Sequence, residues 1–257
     1  MPIRLLSTDF DGTLIGYHPD ARTARSLSGA LTELRLQGAV WAVNTGRQLW
    51  FALEGLAQAN LPHDPEFALT SEKDIYRRIE EGSWEAFGEW NARTERQTLE
   101  LFSRAAHIFA AIEKMVATRD GIEMLYEDGR LAGLMTADPG TMDQIADVMR
   151  KVAIDVPEFS FNRNGVWMRF THREIHKGSS LAELSRLLGI PREDVLAIGD
   201  HLNDVPMLDG SAAGMVACPS NAVLEVQELV RRNGGYVSPH PWGEGVADAI
   251  RHFSSVS

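Results

Sequence analysis

The sequence predicts an α/β protein in which a parallel-sheet core is interrupted by an inserted α+β domain. Three observations predict it. Short apolar runs alternate with amphipathic segments in the first part of the 257-residue chain and again in the last. Between them the rhythm changes to helix, hairpin, helix, hairpin. The third observation is placement: acidic or Thr-Gly motifs follow directly on the apolar runs, where the strands of an open parallel sheet end.

Each element has its own signal. Leu5 to Phe10 reads as a strand, too apolar on both faces to be a half-exposed one. A helix follows with Leu27, Leu31 and Leu34 on one face and Gly38 as its stop. Ala39 to Asn44 reads as a second buried strand. Gly46 to Ala59, with Leu49, Leu53 and Leu56, reads as a second helix, and Phe67 to Thr70 as a third strand. Strands alternating with helices imply right-handed crossovers and a Rossmann-like parallel sheet.

After residue 80 a long helical stripe (Leu99, Phe102, Ala106, Phe109, Val116) leads to strand-like runs at Ile122 to Glu127 and Leu131 to Thr136. Asp128-Gly129 between them is a hairpin turn signal. Asp138-Pro139-Gly140 breaks the chain before a helix carrying Ile145, Val148, Met149 and Val152. Phe159 to Phe161 and Val166 to Phe170 then flank a second turn, Asn162 to Gly165. This order builds an antiparallel sheet, so residues 80–170 are expected to form an insertion between core segments 1–79 and 171–257. The core resumes with a helix holding Leu181, Leu184 and Leu188, stopped by Gly189. The strands Val195 to Ile198, Gly214 to Ala217 and Tyr236-Val237 follow, and a closing helix begins near Gly245.

Composition bounds the function classes. Apolar residues make up 44% and charged residues 24% of the chain, ordinary values for a globular protein with a buried core. A net charge of −11 argues against a nucleic-acid partner, whose phosphates attract basic surfaces. The single cysteine, Cys218, excludes an intrachain disulfide and reads as a small buried thiol, which fits a reducing compartment. The N-terminus lacks the layout of a signal peptide, and no stretch approaches the roughly 20 apolar residues needed to span a bilayer. A cytoplasmic protein with no membrane partner is the expectation.

The chemistry converges at the strand ends. Asp9-Phe-Asp-Gly-Thr13 leaves the first strand, Asn44-Thr45-Gly46-Arg47 the second, and Gly199-Asp200-His-Leu-Asn203-Asp204 the strand Val195 to Ile198. Asp9, Asp11, Asp200 and Asp204 thus project toward one volume. Two carboxylates ~4 Å apart repel by about 4 kcal/mol at an effective dielectric of 20, so such a cluster calls for a hard cation or a proton. Oxygen ligands without a converging His/Cys set point to Mg²⁺ rather than zinc, and a carboxylate-held Mg²⁺ keeps positions for phosphate oxygens. Taken singly the motifs say less. An Asp-x-Asp after a strand also serves as a helix cap or a nucleotide-site aspartate, although no G-x-x-x-x-G-K-[ST] cradle is present. His172 and His176 lie four apart on a strand exit, where that spacing does not align them for a metal. His201 reads as a rim residue, and Trp84, Phe87 and Trp90 as packing between the insertion and the core.

The conjunction resembles the haloacid-dehalogenase-like phosphohydrolase superfamily. Asp9-Phe-Asp-Gly-Thr-Leu14 resembles its first motif, Thr45 in Val43-Asn-Thr-Gly-Arg47 its second, and Lys177 in His176-Lys-Gly-Ser179 its third. Gly199-Asp200-His-Leu-Asn203-Asp204-Val-Pro-Met207-Leu208 resembles the fourth in the form of Cof-like and sucrose-phosphate-phosphatase-like members. The α-β-β-α-β-β insertion resembles the type B form of that branch's second cap class. After the third strand the chain has Ser71-Glu-Lys-Asp-Ile-Tyr76 where Cof-like members carry Asn-Gly-Ala, which resembles the sucrose-phosphatase side.

The resemblance implies a Mg²⁺-dependent phosphatase acting on a small phosphorylated metabolite, foremost a sugar phosphate. Asp9 would be the nucleophile that becomes an aspartyl phosphate, and Asp11 the acid and base. Thr45, the Gly46 N–H and Lys177 would bind the phosphoryl group. Asp9, Asp200 and the Asp11 main-chain carbonyl would ligate Mg²⁺, with Asn203 and Asp204 on its waters or on Lys177. Substrate choice is expected at loops over the site, for which Glu72, Asn162, Arg163 and Asn164 are the candidates. The alternatives are a phosphomutase with the same nucleophile and a binding module without turnover, which would have no use for the acid Asp11.

Overall fold

Leu5 and Leu6 explain why the first strand is apolar on both faces. Neighbours on one strand, they enter separate hydrophobic clusters on the two faces of the sheet. A computed structural model of the chain describes residues 2–16, 25–59, 61–80, 82–127 and 129–255. It divides into two compact units, one formed by Met1–Asn91 with Lys177–Ser257 and the other by Ala92–His176. The sequence placed the corresponding borders at 79/80 and 170/171.

The first unit opens with β1 (Leu5–Thr8), α1 (Arg25–Leu36), β2 (Val40–Asn44), α2 (Leu49–Ala59) and β3 (Phe67–Thr70). Two strands that the sequence did not announce follow, β4 (Asp74–Arg78) and β5 (Trp84–Ala86). Then come α3 (Trp90–Arg104), α4 (Ala106–Val116), β6 (Ile122–Glu127), β7 (Arg130–Thr136), α5 (Pro139–Val152), β8 (Phe159–Asn164) and β9 (Trp167–His172). The first unit resumes with α6 (Lys177–Leu188), β10 (Val195–Ile198), the single turn α7 (Val205–Leu208) and β11 (Met215–Cys218). It ends with α8 (Leu224–Arg232), β12 (Tyr236–Val237) and α9 (Trp242–Ser255).

The first unit's sheet has the order β12-β11-β10-β1-β2-β3-β4-β5. Its strands are parallel from β12 to β3, and β4 and β5 add antiparallel to the edge. On one face α1 and α9 bring Leu27, Leu31, Val246 and Ile250 onto Leu6, Val43 and Ile198. On the other, α6 and α8 bring Leu181, Leu184, Val226 and Val230 onto Leu5, Ala42 and Ala197. Cys218 belongs to this second cluster, and burial pushes its thiol up to about 12. The α/β sheet expected from the alternation is present, with β1 at its centre.

The second unit is a four-stranded antiparallel sheet, order β6-β7-β9-β8, with its own hydrophobic cluster. The helical stripe differs from expectation. A break at Ala105 divides it into α3 and α4, and the cluster takes Leu101, Ala105, Ile108 and Ile112 while Leu99 is 41% exposed. Phe102 and Phe109 still pack edgewise on each other. The Asp138-Pro139-Gly140 break is an N-cap: the Asp138 carboxylate accepts the Thr141 N–H at 2.9 Å, with Pro139 in the first helical turn. Asp128 of the first hairpin signal lies outside the described residues, while Gly129 takes the positive φ that such a turn requires.

The second hairpin is tighter than the sequence suggested. Strand β8 runs on to Asn164, which pairs with Trp167, so only Gly165 and Val166 form the connection. Trp84, Phe87 and Trp90 also differ from expectation, because they pack within the first unit. Phe87 stands edge-on to Phe67 at 5.0 Å, and the Trp90 indole donates to the Lys73 carbonyl at 2.6 Å. Among the described residues no helix is long and apolar enough to cross a membrane.

Candidate active site

The site begins with a lysine that water does not reach. Lys177, the first residue of α6, is fully buried, and its ammonium donates to Asp9 Oδ1 at 2.7 Å and to Asp204 Oδ1 at 2.6 Å. Asp9 is delivered by the end of β1, where its N–H donates to the Ile198 carbonyl of the adjacent strand. Asp204 reaches back across the end of β10, and its Oδ2 accepts the main-chain N–H groups of Asp200 at 2.8 Å and His201 at 3.0 Å. Two glycines make room for this approach. A Cβ on Gly199 would lie 2.5 Å from the Asp204 carboxyl carbon, and one on Gly178 would lie 2.0 Å from the Pro206 carbonyl oxygen. No larger residue fits either position without moving the site. Asn44, at the end of β2, donates its side-chain amide to the Lys177 carbonyl at 3.1 Å and so holds the start of α6.

Burial and charge oppose one another here. Burial alone would lower the Lys177 pKa, but the carboxylates of Asp204, Asp9 and Glu72 outweigh it and hold the ammonium firmly charged. Burial pushes Asp9 well above the usual carboxylate range; Lys177 opposes this, while Asp204 and Asp200 add to it. Burial and the Asp204 charge push Asp200 up to about 7, against the hydroxyl of Thr13, which donates to Asp200 Oδ1 at 2.7 Å. One lysine does not neutralise three carboxylates. A shortage of positive charge among buried oxygen ligands is what a bound cation would relieve.

Among the described residues, carboxylate oxygens of Asp9, Asp200 and Asp204 form a group within 4.8 Å of one another that could hold a metal ion. The three are not equivalent. Both oxygens of Asp204 already accept hydrogen bonds, one from Lys177 and one from two main-chain N–H groups, so Asp204 orients its neighbours. Asp9 and Asp200 are left as the better ligands. The oxygen-only donor set fits a hard divalent cation.

The carboxylate of Asp11 does not join this group. It faces Arg47, whose Nε donates to Asp11 Oδ2 at 2.7 Å and whose Nη2 donates to Asp11 Oδ1 at 2.6 Å. Arg47 was visible in the sequence only as the residue after Thr45-Gly46, with nothing to reveal its partner. Thr45 is buried, and its hydroxyl accepts the Arg47 N–H at 3.2 Å. Helix α2 starts at Leu49 rather than Gly46, so residues 45–48 form a bend before the helix. Glu72 is buried beside them. Its Oε1 accepts from the Asn203 amide at 2.9 Å and sits 3.4 Å from where a Gly46 Cβ would be. Glu72 thus joins the Thr45-Gly46 bend to the segment that carries Asp200 and Asp204.

The remaining candidates lie in the second unit. Asn162 and Arg163 are on strand β8 rather than in a loop, and Asn164 is its last residue. The Arg163 guanidinium pairs with the Asp143 carboxylate and donates to the carbonyls of Pro139 at 2.9 Å and Gly165 at 3.1 Å, which ties it to α5 and to its own turn. Asn162 pairs in register with Arg169, whose guanidinium is bound to Glu127. His172 Nδ1 accepts the Glu174 N–H at 3.1 Å, and the His201 ring shares a capping box with Asp204.

Comparison with known proteins agrees with this geometry. Residues 113–250 match the family model described as haloacid dehalogenase-like hydrolase. A phosphoglycolate phosphatase of Methanothermobacter thermautotrophicus is 37% identical over 113 residues, 44% of this chain and 48% of that protein. The aligned stretch therefore spans about half the length of that relative. The sucrose-phosphatase of Synechocystis sp. PCC6803, solved with sucrose and phosphate, superposes with a TM-score of 0.72 at 20% identity over 99% of both chains. A subclass IIB sugar phosphatase of the same superfamily gives 0.65 at 19% identity, over 98% of this chain and 99% of that one. Those two likenesses speak to the fold. With the family model covering more than half the chain and the four motifs assembled at the ends of β1, β2 and β10 and the start of α6, the protein belongs to the haloacid dehalogenase-like hydrolase family.

Proposed function

We propose that the chain is a Mg²⁺-dependent phosphatase that hydrolyses a small phosphorylated metabolite, foremost a sugar phosphate, through an aspartyl phosphate on Asp9. The observation that carries this reading is the fully buried Lys177 clamped between Asp9 and Asp204. A buried ion pair is weak evidence for stability by itself, since desolvation offsets most of the Coulomb gain. At the mouth of a parallel sheet, beside a second raised carboxylate, it is a means of holding one aspartate side chain in a fixed direction.

The chemistry follows from the residues. An Asp9 carboxylate oxygen attacks phosphorus, the bond from phosphorus to the ester oxygen breaks, and Asp11 supplies the proton that the leaving alkoxide takes. Water then attacks phosphorus as Asp11 takes its proton, which releases inorganic phosphate and restores Asp9. Lys177 holds Asp9 and offsets charge on the transferring group, while Thr45 and the Gly46 N–H bind phosphoryl oxygens. The carboxylates of Asp9 and Asp200 and the Asp11 carbonyl would hold Mg²⁺, which supplies positive charge to a crowded anionic site when bound. The names of the relatives support a phosphate ester as substrate, and those of two structural neighbours support a sugar. Glu72, beside Gly46, and Asn162 are kept as specificity candidates. Arg163 is occupied.

A panel of phosphorylated metabolites tests the reading by release of inorganic phosphate with and without Mg²⁺. Wild type is expected to release phosphate only with the metal, and Asp9→Asn to lose at least about 10³-fold in kcat, as expected for a lost nucleophile. Turnover by Asp9→Asn near the wild-type rate would sink the assignment.

A further inference from the structure

The family assignment leaves one built feature unexplained, the seat of Arg47. Its guanidinium grips both oxygens of Asp11, and a third nitrogen, Nη1, donates to the Phe51 carbonyl at 3.3 Å. Two aromatic rings lie against it as well. The guanidinium carbon lies 4.8 Å from the Phe10 ring centroid and 4.2 Å from that of Phe51. Beneath it, α2 presents Gly55, where a Cβ would lie 2.4 Å from Nη1 and 2.8 Å from Phe10 Cε1. The main chain of Arg47 is fixed too: its N–H donates to Thr45 Oγ1 and its carbonyl accepts the Ser71 N–H at 2.8 Å. A side chain held at three nitrogens, by two aromatic rings and at its backbone is set to place something else, and that something is the Asp11 carboxylate.

We propose that Arg47 is the positioning residue for the acid and base Asp11, and that Gly55 is the gap in α2 that allows it. The inference rests on the phosphatase reading above and deepens it. A paired fork fixes both the location and the plane of a carboxylate, whereas a lysine at the same place offers a point charge and neither constraint. Arg47 is a poor choice for binding phosphate directly, because three of its nitrogens are engaged and its side chain is only 17% exposed. Asp11 serves both halves of the reaction, the proton to the leaving oxygen and the proton from water. A mispositioned Asp11 therefore slows alkyl phosphates in the first half and every substrate in the second.

Two substrates separate these effects. p-Nitrophenyl phosphate has a leaving group that needs no proton, so with Arg47→Lys the first half stays fast and the second becomes limiting. The expected result is a rapid burst of about one nitrophenolate per enzyme followed by a slow steady state, a signature of an accumulating covalent intermediate. On a sugar phosphate, kcat is expected to fall roughly 10- to 100-fold, as for a displaced general acid, with KM changed less than about threefold. In an Asp11→Asn background Arg47→Lys is expected to add no further loss. Gly55→Ala repeats the test without altering either residue, since its methyl takes the place of Nη1.

A uniform loss on both substrates without a burst overturns the proposal. So does a further tenfold loss in the Asp11→Asn background, or wild-type kcat in both Arg47→Lys and Gly55→Ala. Activity that survives Asp9→Asn removes the phosphatase mechanism and this inference together. Loss in Asp9→Asn beside wild-type behaviour in the two position variants removes this inference alone.

Discussion

Asp200 shows how a single residue registers the missing charge at the site. In the unfolded chain its carboxyl titrates near the ordinary value of about 3.9, whereas in the fold burial and Asp204 raise it to about 7. Between those values the native state holds a proton that the unfolded state has lost. The associated stability is present below roughly pH 4 and disappears as pH rises through about 7. In chelator, the melting temperature is expected to fall between roughly pH 5 and pH 8. Mg²⁺ competes with that proton, so its stabilising shift is expected to be larger at about pH 8 than at about pH 5. Equal shifts at the two values, read by thermal melting, would remove Asp200 from the ligand set. These carboxylates could be placed from sequence because each ends an apolar run and the strand ends converge. The Arg47 partner could not, because one arginine after Thr-Gly contains no record of a contact with Asp11 thirty-six residues away.

At the scale of elements, the turn between β3 and β4 is where local preference and tertiary demand disagree. Ser71 and Glu72 take φ of +52° and +60° in succession, each at a cost of roughly 1–2 kcal/mol for a residue with a Cβ. In return the Ser71 and Glu72 N–H groups donate to the carbonyls of Arg47 and Thr45, which fastens the bend at residues 45–48 to the sheet. Ser71→Gly keeps those main-chain bonds and removes the strain. It is expected to raise stability by about 0.5–1 kcal/mol after the entropic cost of glycine, with phosphate release unchanged. A urea titration that finds lower stability would show that this conformation is not strained. The same turn explains why β4 and β5 escaped the sequence. Asp74-Ile-Tyr-Arg-Arg78 is a strand of mostly polar residues, held between β3 and β5, with only Ile75 fully buried, so no apolar run marks it. In α3 the error was one of register, since the break at Ala105 resets the periodicity that a continuous helix would keep.

For the whole molecule, the alternation at both ends and the change of rhythm between them were enough to predict a parallel core with an antiparallel insertion. The exact borders were not legible, because two short strands without apolar runs and a helix start occupy the stretch from residue 74 to 91. The two units differ in how the chain builds them. Ala92–His176 is continuous, with a cluster that includes Leu101, Ile112, Leu134, Ile145 and Phe170. A polypeptide of residues 92–176 is therefore expected to fold alone and to melt cooperatively by circular dichroism, as domains of this size commonly do. A broad, non-cooperative melt would show that its cluster is too small to stand by itself.

The first unit has no such independence, and the Lys177 clamp states its consequence in kinetic language. The bond from Lys177 to Asp9 closes a loop of 168 residues, and that from Thr13 to Asp200 one of 187. Loop closure on that scale cannot form early from local contacts, because its entropy must be met before its interactions are gained. A nascent chain that has made Asp9, Asp11 and Thr45 has no catalyst until α6 and β10 have been synthesised and docked. The active site is thus a late product of folding, and a partly folded chain has nothing with which to attack phosphate esters before the fold is complete.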